Sequence, residues 1–242
     1  MINQVVPYTD SDKSKKEQVS EMFDDISPRY DLLNRLLSMG IDKGWRKTLI
    51  KLLEKEQPET ILDIATGTAD LAIAESKIKP KSIIGVDISE GMLAMGREKV
   101  SKLGLAKLIT LETGDSENLK FANNTFDAVT VAFGVRNFEH LKKGLEEMNR
   151  VLKPGGSAMI LEFSQPQKFP FKQIYFFYFR TVLPLVGKLV SGHSKAYTYL
   201  PESVASFPYG KDFAAIMKEA NFKDIQWKAL TFGICTIYTG KK

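Results

Sequence analysis

An α/β fold built on a mostly parallel sheet is what this chain predicts, on three observations. Short apolar runs at 60–65, 82–87, 108–113, 127–133 and 157–163 alternate with stretches of helical character. Parallel strands need that alternation, because each crossover between them carries a helix. Two later runs, 225–230 and 234–239, meet through Thr231-Phe232-Gly233 and predict a closing antiparallel hairpin. Finally, the first two runs carry aspartates at or near their C-terminal ends, Asp63 and Asp87, where open α/β sheets bind ligands.

The elements follow in order. Residues 1 to about 15 are polar, mixed in charge and expected to be disordered, and they do not read as a signal peptide. Residues 17–57 predict helices: Phe23, Ile26, Tyr30, Leu33, Leu36 and Leu37 recur at roughly helical spacing, with Ser27-Pro28 as a start signal. Trp45, Leu49, Leu52 and Leu53 form a second apolar face. We therefore expect a helical N-terminal cap over 1–57 and the main α/β unit over 58–242, together one structural domain. Arg150-Val-Leu-Lys-Pro-Gly-Gly156 leads into the fifth strand, with Pro154 ending a helix and the glycines supplying a turn. An insert at about 164–210 separates that strand from the hairpin. From Phe163 to Pro201 it holds no Asp or Glu, five basic residues (Lys168, Lys172, Arg180, Lys188, Lys195) and ten Phe or Tyr. That mixture suits an anionic membrane surface, an apolar ligand or a single-stranded nucleic acid, as well as a plain structural cap.

Composition narrows the classes. A net charge of +5, from 34 basic and 29 acidic residues, is too weak to imply nucleic acid by itself. The one cysteine, Cys235, precludes an intramolecular disulfide and suits a reducing compartment. No apolar stretch is long enough to span a bilayer: the run from Ile174 to Val190 is broken by Arg180, Pro184 and Lys188. The two histidines, His140 and His193, read as surface or capping residues, and no His/Cys cluster has metal spacing, so no metal is expected.

The segment Thr60 to Asp70 is the most informative. A strand ends, a turn containing Gly67 follows, a helix begins, and the next strand ends at Asp87, placed to accept from two ribose hydroxyls. A dinucleotide would need G-x-G-x-x-G, yet only Gly67 is present, and no G-x-x-x-x-G-K run occurs for a triphosphate. Asp63 and Asp70 flank the turn; carboxylates there repel phosphates and suit a cation. S-adenosylmethionine, a nucleoside with an ammonium and a sulfonium, fits. Asp115, after the third strand, is placed to accept from an adenine amino group, or else closes a local turn. In Ala132-Phe-Gly-Val-Arg-Asn137, Arg136 could stabilise a developing oxyanion and Asn137 orient it.

The chain resembles the ubiquinone/menaquinone C-methyltransferase family from about Lys16 to Gly240. The resemblance rests on Tyr30-Asp-Leu-Leu-Asn34 with Leu37-Ser-Met-Gly40 and Trp45, Asp63 to Asp70, Phe133 to Asn137, Arg150 to Gly156 with Leu161-Glu-Phe-Ser164, and Tyr199 to Ser203 with Phe207-Pro208. It implies a Rossmann-like class I methyltransferase fold with a seven-stranded sheet. It implies S-adenosylmethionine contacts at Thr68, Asp87, Asp115 and Ser116, beside the residue-based candidates Asp63 and Gly67. Arg136 and Asn137 are carried over as the catalytic pair near a polyprenyl quinol. The implied reaction is C-methylation of a reduced demethylmenaquinone, with a polyprenyl benzoquinol as the same-chemistry alternative and an RNA methyltransferase or a non-catalytic cofactor-binding protein as alternatives of other classes. The Asn/Asp-Pro-Pro-aromatic loop of amino-group methylation is absent, so nucleic acid is not expected as a partner. A cytoplasmic protein peripheral to the inner face of the membrane is expected, with a homodimer left open. Three positions depart from the pattern. Ala69 replaces a glycine, which predicts no positive φ there. Ala132 replaces a serine. Asp42-Lys43 replaces a His-Arg pair.

Overall fold

The computed structural model describes residues 5–38, 40–178, Thr181 and 194–242. Arg180, Lys188 and His193 lie outside them. The chain runs α1 (Lys15–Ile26), a 3₁₀ turn (Ser27–Arg29), α2 (Tyr30–Ser38), α3 (Ile41–Glu56), β1 (Thr60–Ile64), α4 (Asp70–Glu75), β2 (Ser82–Asp87), α5 (Glu90–Lys102), β3 (Ile109–Thr113) and β4 (Phe126–Ala132). It continues with α6 (Leu141–Val151), β5 (Leu152–Phe163), α7 (Phe171–Phe177), α8 (Ser194–Ser206), α9 (Lys211–Glu219), β6 (Lys223–Leu230) and β7 (Cys235–Lys241).

The seven strands form one sheet in the order β3-β2-β1-β4-β5-β7-β6. β1 to β5 are parallel, and β7 pairs antiparallel with both β5 and β6. All seven expected strands are present. The chain leaves β1 towards β2 on one side and returns to β4 on the other, so the C-terminal ends of β1 and β4 bound a switch point where the loops diverge.

The inner parallel strands are largely apolar on both faces because helices cover both, whereas the edge strand β3 alternates, with Thr110 and Glu112 exposed. Leu62, Ile64, Val129, Val131 and Ile160 face one core with Leu145 and Met148 of α6 and Phe213 and Met217 of α9. Ile61, Ile83, Ala128 and Met159 face the other with Trp45, Leu49 and Leu53 of α3 and Leu93 of α5. The Lys-Pro-Gly-Gly run is a bulge inside β5 rather than a turn before it. The register steps from Phe126 against Leu152 directly to Ala128 against Ser157, so the extra residues loop out where Pro154 has no N–H to give.

Residues 5–14 were expected to be disordered; instead they run as coil against α1, where the Tyr8 N–H donates to Gln18 Oε1 at 2.9 Å. A capping box starts α1: Ser14 accepts from the Glu17 N–H while the Glu17 carboxylate accepts from the Ser14 N–H. The helix then lies across the strand ends. Asp24 Oδ1 accepts from Ser89 Oγ (2.6 Å) and the Gly91 N–H (2.8 Å), satisfying orphan donors at the start of α5. Lys15 Nζ donates to the carbonyls of Arg136 (3.1 Å) and Phe138 (3.0 Å) in the loop after β4.

The loops after β1 and β4 touch at Gly134. A methyl group there would lie 2.5 Å from Ala65 Cβ and 3.0 Å from Val131 Cγ1. Only glycine permits that approach, which closes the floor of the cleft described next.

Candidate active site

A cleft with about 660 Å³ of empty space, its open mouth included, lies over the C-terminal ends of β1, β2 and β4. Its wall from the main unit includes Ile64, Gly67, Asp87, Asp115, Ser116, Phe133 and Asn137; Lys16, Val19 and Phe23 of α1 and Tyr30 of α2 cover it.

Asp87 is its best-defined polar group. Asp87 Oδ2 accepts from the Gly67 N–H at 2.8 Å, and Oδ1 accepts from the Ser89 N–H at 2.9 Å. Burial pushes its pKa up to about 6, partly opposed by those backbone donors. The Gly67 amide is thus already engaged by a carboxylate and is not left to a phosphate oxygen. Asp115, Glu117 and Glu139 add carboxylates to the wall, against one cation, Lys16. This acidic lining suits a cationic nucleoside such as S-adenosylmethionine and disfavours a pyrophosphate.

The other expected cofactor residues are placed differently. Asp63 does not line the cleft. It is fully buried behind the turn, where Thr66 Oγ1 donates to it at 2.6 Å, and burial raises its pKa to about 7. Thr68 is also outside the lining: its hydroxyl donates to Asp31 Oδ1 at 2.6 Å and accepts from Lys99 at 2.9 Å. Lys99 reaches Asp70 at 2.6 Å as well, so the carboxylate expected to favour a cationic ligand is paired by a lysine of α5. Asp115 Oδ1 closes a local turn with the Glu117 N–H (2.9 Å), while Oδ2 pairs with Lys16 at 2.7 Å.

Ala69 corrects a further expectation. It has φ 64° and ψ 22°, a left-handed conformation, although the missing glycine had suggested none was needed. The conformation costs an alanine roughly 1–2 kcal/mol. Its methyl is fully buried in the core beside Leu71 and Leu93, which offsets part of that. Ala65 (φ 53°) and Phe133 (φ 61°) show the same handedness at the two loops that meet at the switch point.

On the other side of Phe133 the structure places Arg136 and Asn137 differently from each other. Asn137 lines the cleft and its Oδ1 accepts from the Tyr199 hydroxyl at 3.1 Å. Arg136 is buried. Its Nη1 donates to Glu162 Oε1 at 2.9 Å and to the Phe133 carbonyl; its Cζ lies 5.4 Å from the centroid of the Phe163 ring. Among the described residues its Nε has no acceptor. Glu162, fully buried in β5, is a partner that pattern reading missed; a carboxylate inside the apolar run Ile160 to Phe163 was the available signal. Burial raises the phenol pKa values of Tyr30, Tyr175 and Tyr199, the last to about 12, and the positive charge of Arg136 opposes the rise in each. His140 stays peripheral, its ring bonded to the buried Glu117 at 2.9 Å.

The model of the ubiE/COQ5 methyltransferase family matches residues 11–242. The chain belongs to that family. It is 49% identical over 239 residues to a demethylmenaquinone methyltransferase of Bacteroides fragilis, covering 98% of this chain and 97% of that one. It is 50% identical over 230 residues to the ubiquinone/menaquinone biosynthesis C-methyltransferase UbiE of Geobacter sulfurreducens, covering 94% and 90%. Among solved structures it is similar to the [4+2]-cyclase SpnF, with a TM-score of 0.69, 16% identity and 94% and 96% of the two chains covered. A methyltransferase from Thermotoga maritima, described as a possible histamine N-methyltransferase, gives a TM-score of 0.63 at 17% identity, over 92% and 99%. At these identities the two structures speak for the fold alone.

The Asp87 geometry generates a pH prediction. The ionised Asp87 carboxylate can accept from both ribose hydroxyls, whereas its protonated form accepts more weakly and turns one oxygen into a donor, so S-adenosylmethionine affinity follows the ionised form. It falls as pH drops through about 6, approaching tenfold per unit. The unliganded protein has the opposite sign: a raised carboxylate pKa favours the folded state at low pH and that contribution is lost as pH rises through about 6. Calorimetric titrations from pH 5 to 8 check the first statement. In Asp87→Asn the affinity is lower and this pH dependence is gone; a slope unchanged in that variant would rule Asp87 out as the acceptor.

Proposed function

We propose that this chain transfers a methyl group from S-adenosylmethionine to a ring carbon of a reduced demethylmenaquinone. The observation that carries the reading is the juxtaposition around Phe133. An acidic nucleoside-type cleft ending in Asp87 lies on one side, and a buried guanidinium with an unused donor lies on the other. Membership of a methyltransferase family and the names of the relatives support it.

The cofactor, when bound, supplies an electrophilic methyl group on sulfur. Asp87 would hold the ribose, and Asp115 and Ser116 would flank the adenine. Thr68 and Asp63 would act through the shape of the turn. A quinol is the sensible acceptor because its hydroxyls enrich the ring carbons, and loss of a phenolic proton enriches them further. Arg136, fixed by Glu162 and the Phe133 carbonyl, would offer Nε to the developing phenolate, while Asn137, held by Tyr199, orients the ring. Burial removes competing water, so one donor there counts for more than in solution. Holding carbon, methyl and sulfur in line supplies much of the remaining rate; a neutral thioether would be the leaving group, and the methylated carbon would lose its proton as the ring regains aromaticity.

Incubating the protein with S-adenosylmethionine and either reduced demethylmenaquinone or a polyprenyl benzoquinol, then weighing the quinones by mass spectrometry, tests the reading. We expect one added methyl on the naphthoquinol. Arg136→Ala/Glu162→Gln, which avoids leaving a lone buried carboxylate, should lower kcat about 10²-fold with cofactor affinity unchanged, and Arg136→Lys should recover part of it. Methylation of the benzoquinol alone, or full turnover in the double variant, would contradict this.

A polyprenyl tail also has to leave the bilayer. Among the described residues no helix is long and apolar enough to cross a membrane. We propose that α7 and the β6–β7 turn rest on an anionic leaflet. Phe169, Ile174, Phe177 and Phe232 are exposed, and Phe232 stacks on Phe171 with centroids 3.7 Å apart. Lys168 and Lys172 flank them in a stretch without acidic residues, and each basic residue near such a surface adds about 1 kcal/mol. Flotation with anionic vesicles should show binding that high salt weakens and that Lys168→Glu/Lys172→Glu or Phe169→Ser/Phe177→Ser reduces. No binding at low salt would leave α7 as a structural cap.

A further inference from the structure

We infer that Arg46 is a second substrate-binding cation, donating through Nε to the quinol oxygen that Arg136 does not take; the inference rests on the quinol reading above. Arg46 comes from α3, a different element from the loop that carries Arg136, and motif reading gave it no role. Its Nη1 pairs with Asp42 Oδ2, and Asp42 Oδ1 accepts from Ser38 Oγ at 2.7 Å. The Arg46 side chain is only 12% exposed. Its Nε is buried and, like that of Arg136, has no acceptor among the described residues.

These two orphan donors flank one feature. The Arg46 Cζ lies 5.7 Å from the centroid of Phe133, the Arg136 Cζ lies 5.4 Å from that of Phe163, and the two rings are 4.5 Å apart. Phe133 itself lines the cofactor cleft. Both guanidinium charges also act on the phenol of Tyr30, which lines the same cleft. Buried N–H groups seldom go unpaired, because desolvation without a partner is costly. Two such donors of the same type around one aromatic pair call for a ligand with two acceptors. A 1,4-quinol has two oxygens, on opposite sides of the ring. Arg136 takes the oxygen whose ionisation activates the ring carbon, and Arg46 fixes the other, which sets which carbon is presented to the methyl group.

A structural role is the competing account, since the Arg46–Asp42–Ser38 chain joins α2 to α3. The test compares variants and ligands. Binding of 1,4-dihydroxynaphthalene and of 1-naphthol, which lacks one oxygen, is measured with wild type, Arg46→Gln, Arg46→Lys and Asp42→Asn, alongside KM and kcat for the reduced quinone. We expect Arg46→Gln to weaken the diol at least tenfold and 1-naphthol less than threefold, with Arg46→Lys intermediate. Asp42→Asn should lower the melting temperature and leave the diol preference in place. Equal effects of Arg46→Gln on both ligands, or the same loss of diol preference in Asp42→Asn, would overturn the inference. Wild type that binds the diol but methylates no quinol would refute the reaction and leave the Arg46 comparison standing on binding. Wild type that binds neither would refute both.

Discussion

The carboxylate of Asp87 is the interaction on which the rest of the site depends. It ends β2 at the switch point and gathers the Gly67 N–H of the β1–α4 turn and the Ser89 N–H at the start of α5. Its main-chain carbonyl accepts from the Gly114 N–H, which brings in the loop after β3. One half-buried acidic residue therefore ties three loops together, two through its carboxylate and one through its carbonyl, and those loops are the cleft wall. A buried carboxylate is unfavourable unless donors surround it. Here the donors are the backbone amides of Gly67 and Ser89, and the carboxylate still borders the open cleft.

The same economy appears around Arg136. Glu162 is fully buried in β5, an unfavourable position that Arg136 makes tolerable, and the ion pair in turn holds Arg136 against Phe163. Stability alone would be served as well by an apolar pair. The retained charge fixes where one guanidinium points. α1 adds the third constraint: through Lys15 it holds the carbonyls of Arg136 and Phe138, and through Lys16 it reaches Asp115. The cleft, the loop that carries Arg136 and the N-terminal cap are thus joined by hydrogen bonds, one of them across 121 residues of sequence.

The sheet could be read in the sequence because strands covered on both faces must be continuously apolar, and Asp87 stood out as a carboxylate ending such a run. Asn137 was found for a similar reason, as a polar residue in the loop after β4. Asp63 was misplaced because a carboxylate in a strand announces its position and not the side it faces; it lies behind the turn, with Thr66 as its donor. The left-handed Ala69 could not be anticipated, since alanine carries no mark of positive φ and the conformation is imposed by the surrounding turn and core. Lys15, Lys16 and Tyr199 were missed because their contacts arise only when distant elements close on one another. Asp42, one of the departures from the family pattern, turned out to pair with Arg46.

A crystal structure of the protein with S-adenosylhomocysteine and a non-reactive quinol analogue would test the central claim most directly. The account predicts both ribose hydroxyls on Asp87, adenine between Asp115 and Ser116, and the sulfur turned towards Phe133 and Tyr30. It also predicts the analogue's ring against Phe133 and Phe163, with an oxygen on Arg136 Nε. A nucleoside bound elsewhere, or a ring whose oxygens avoid both arginines, would contradict it.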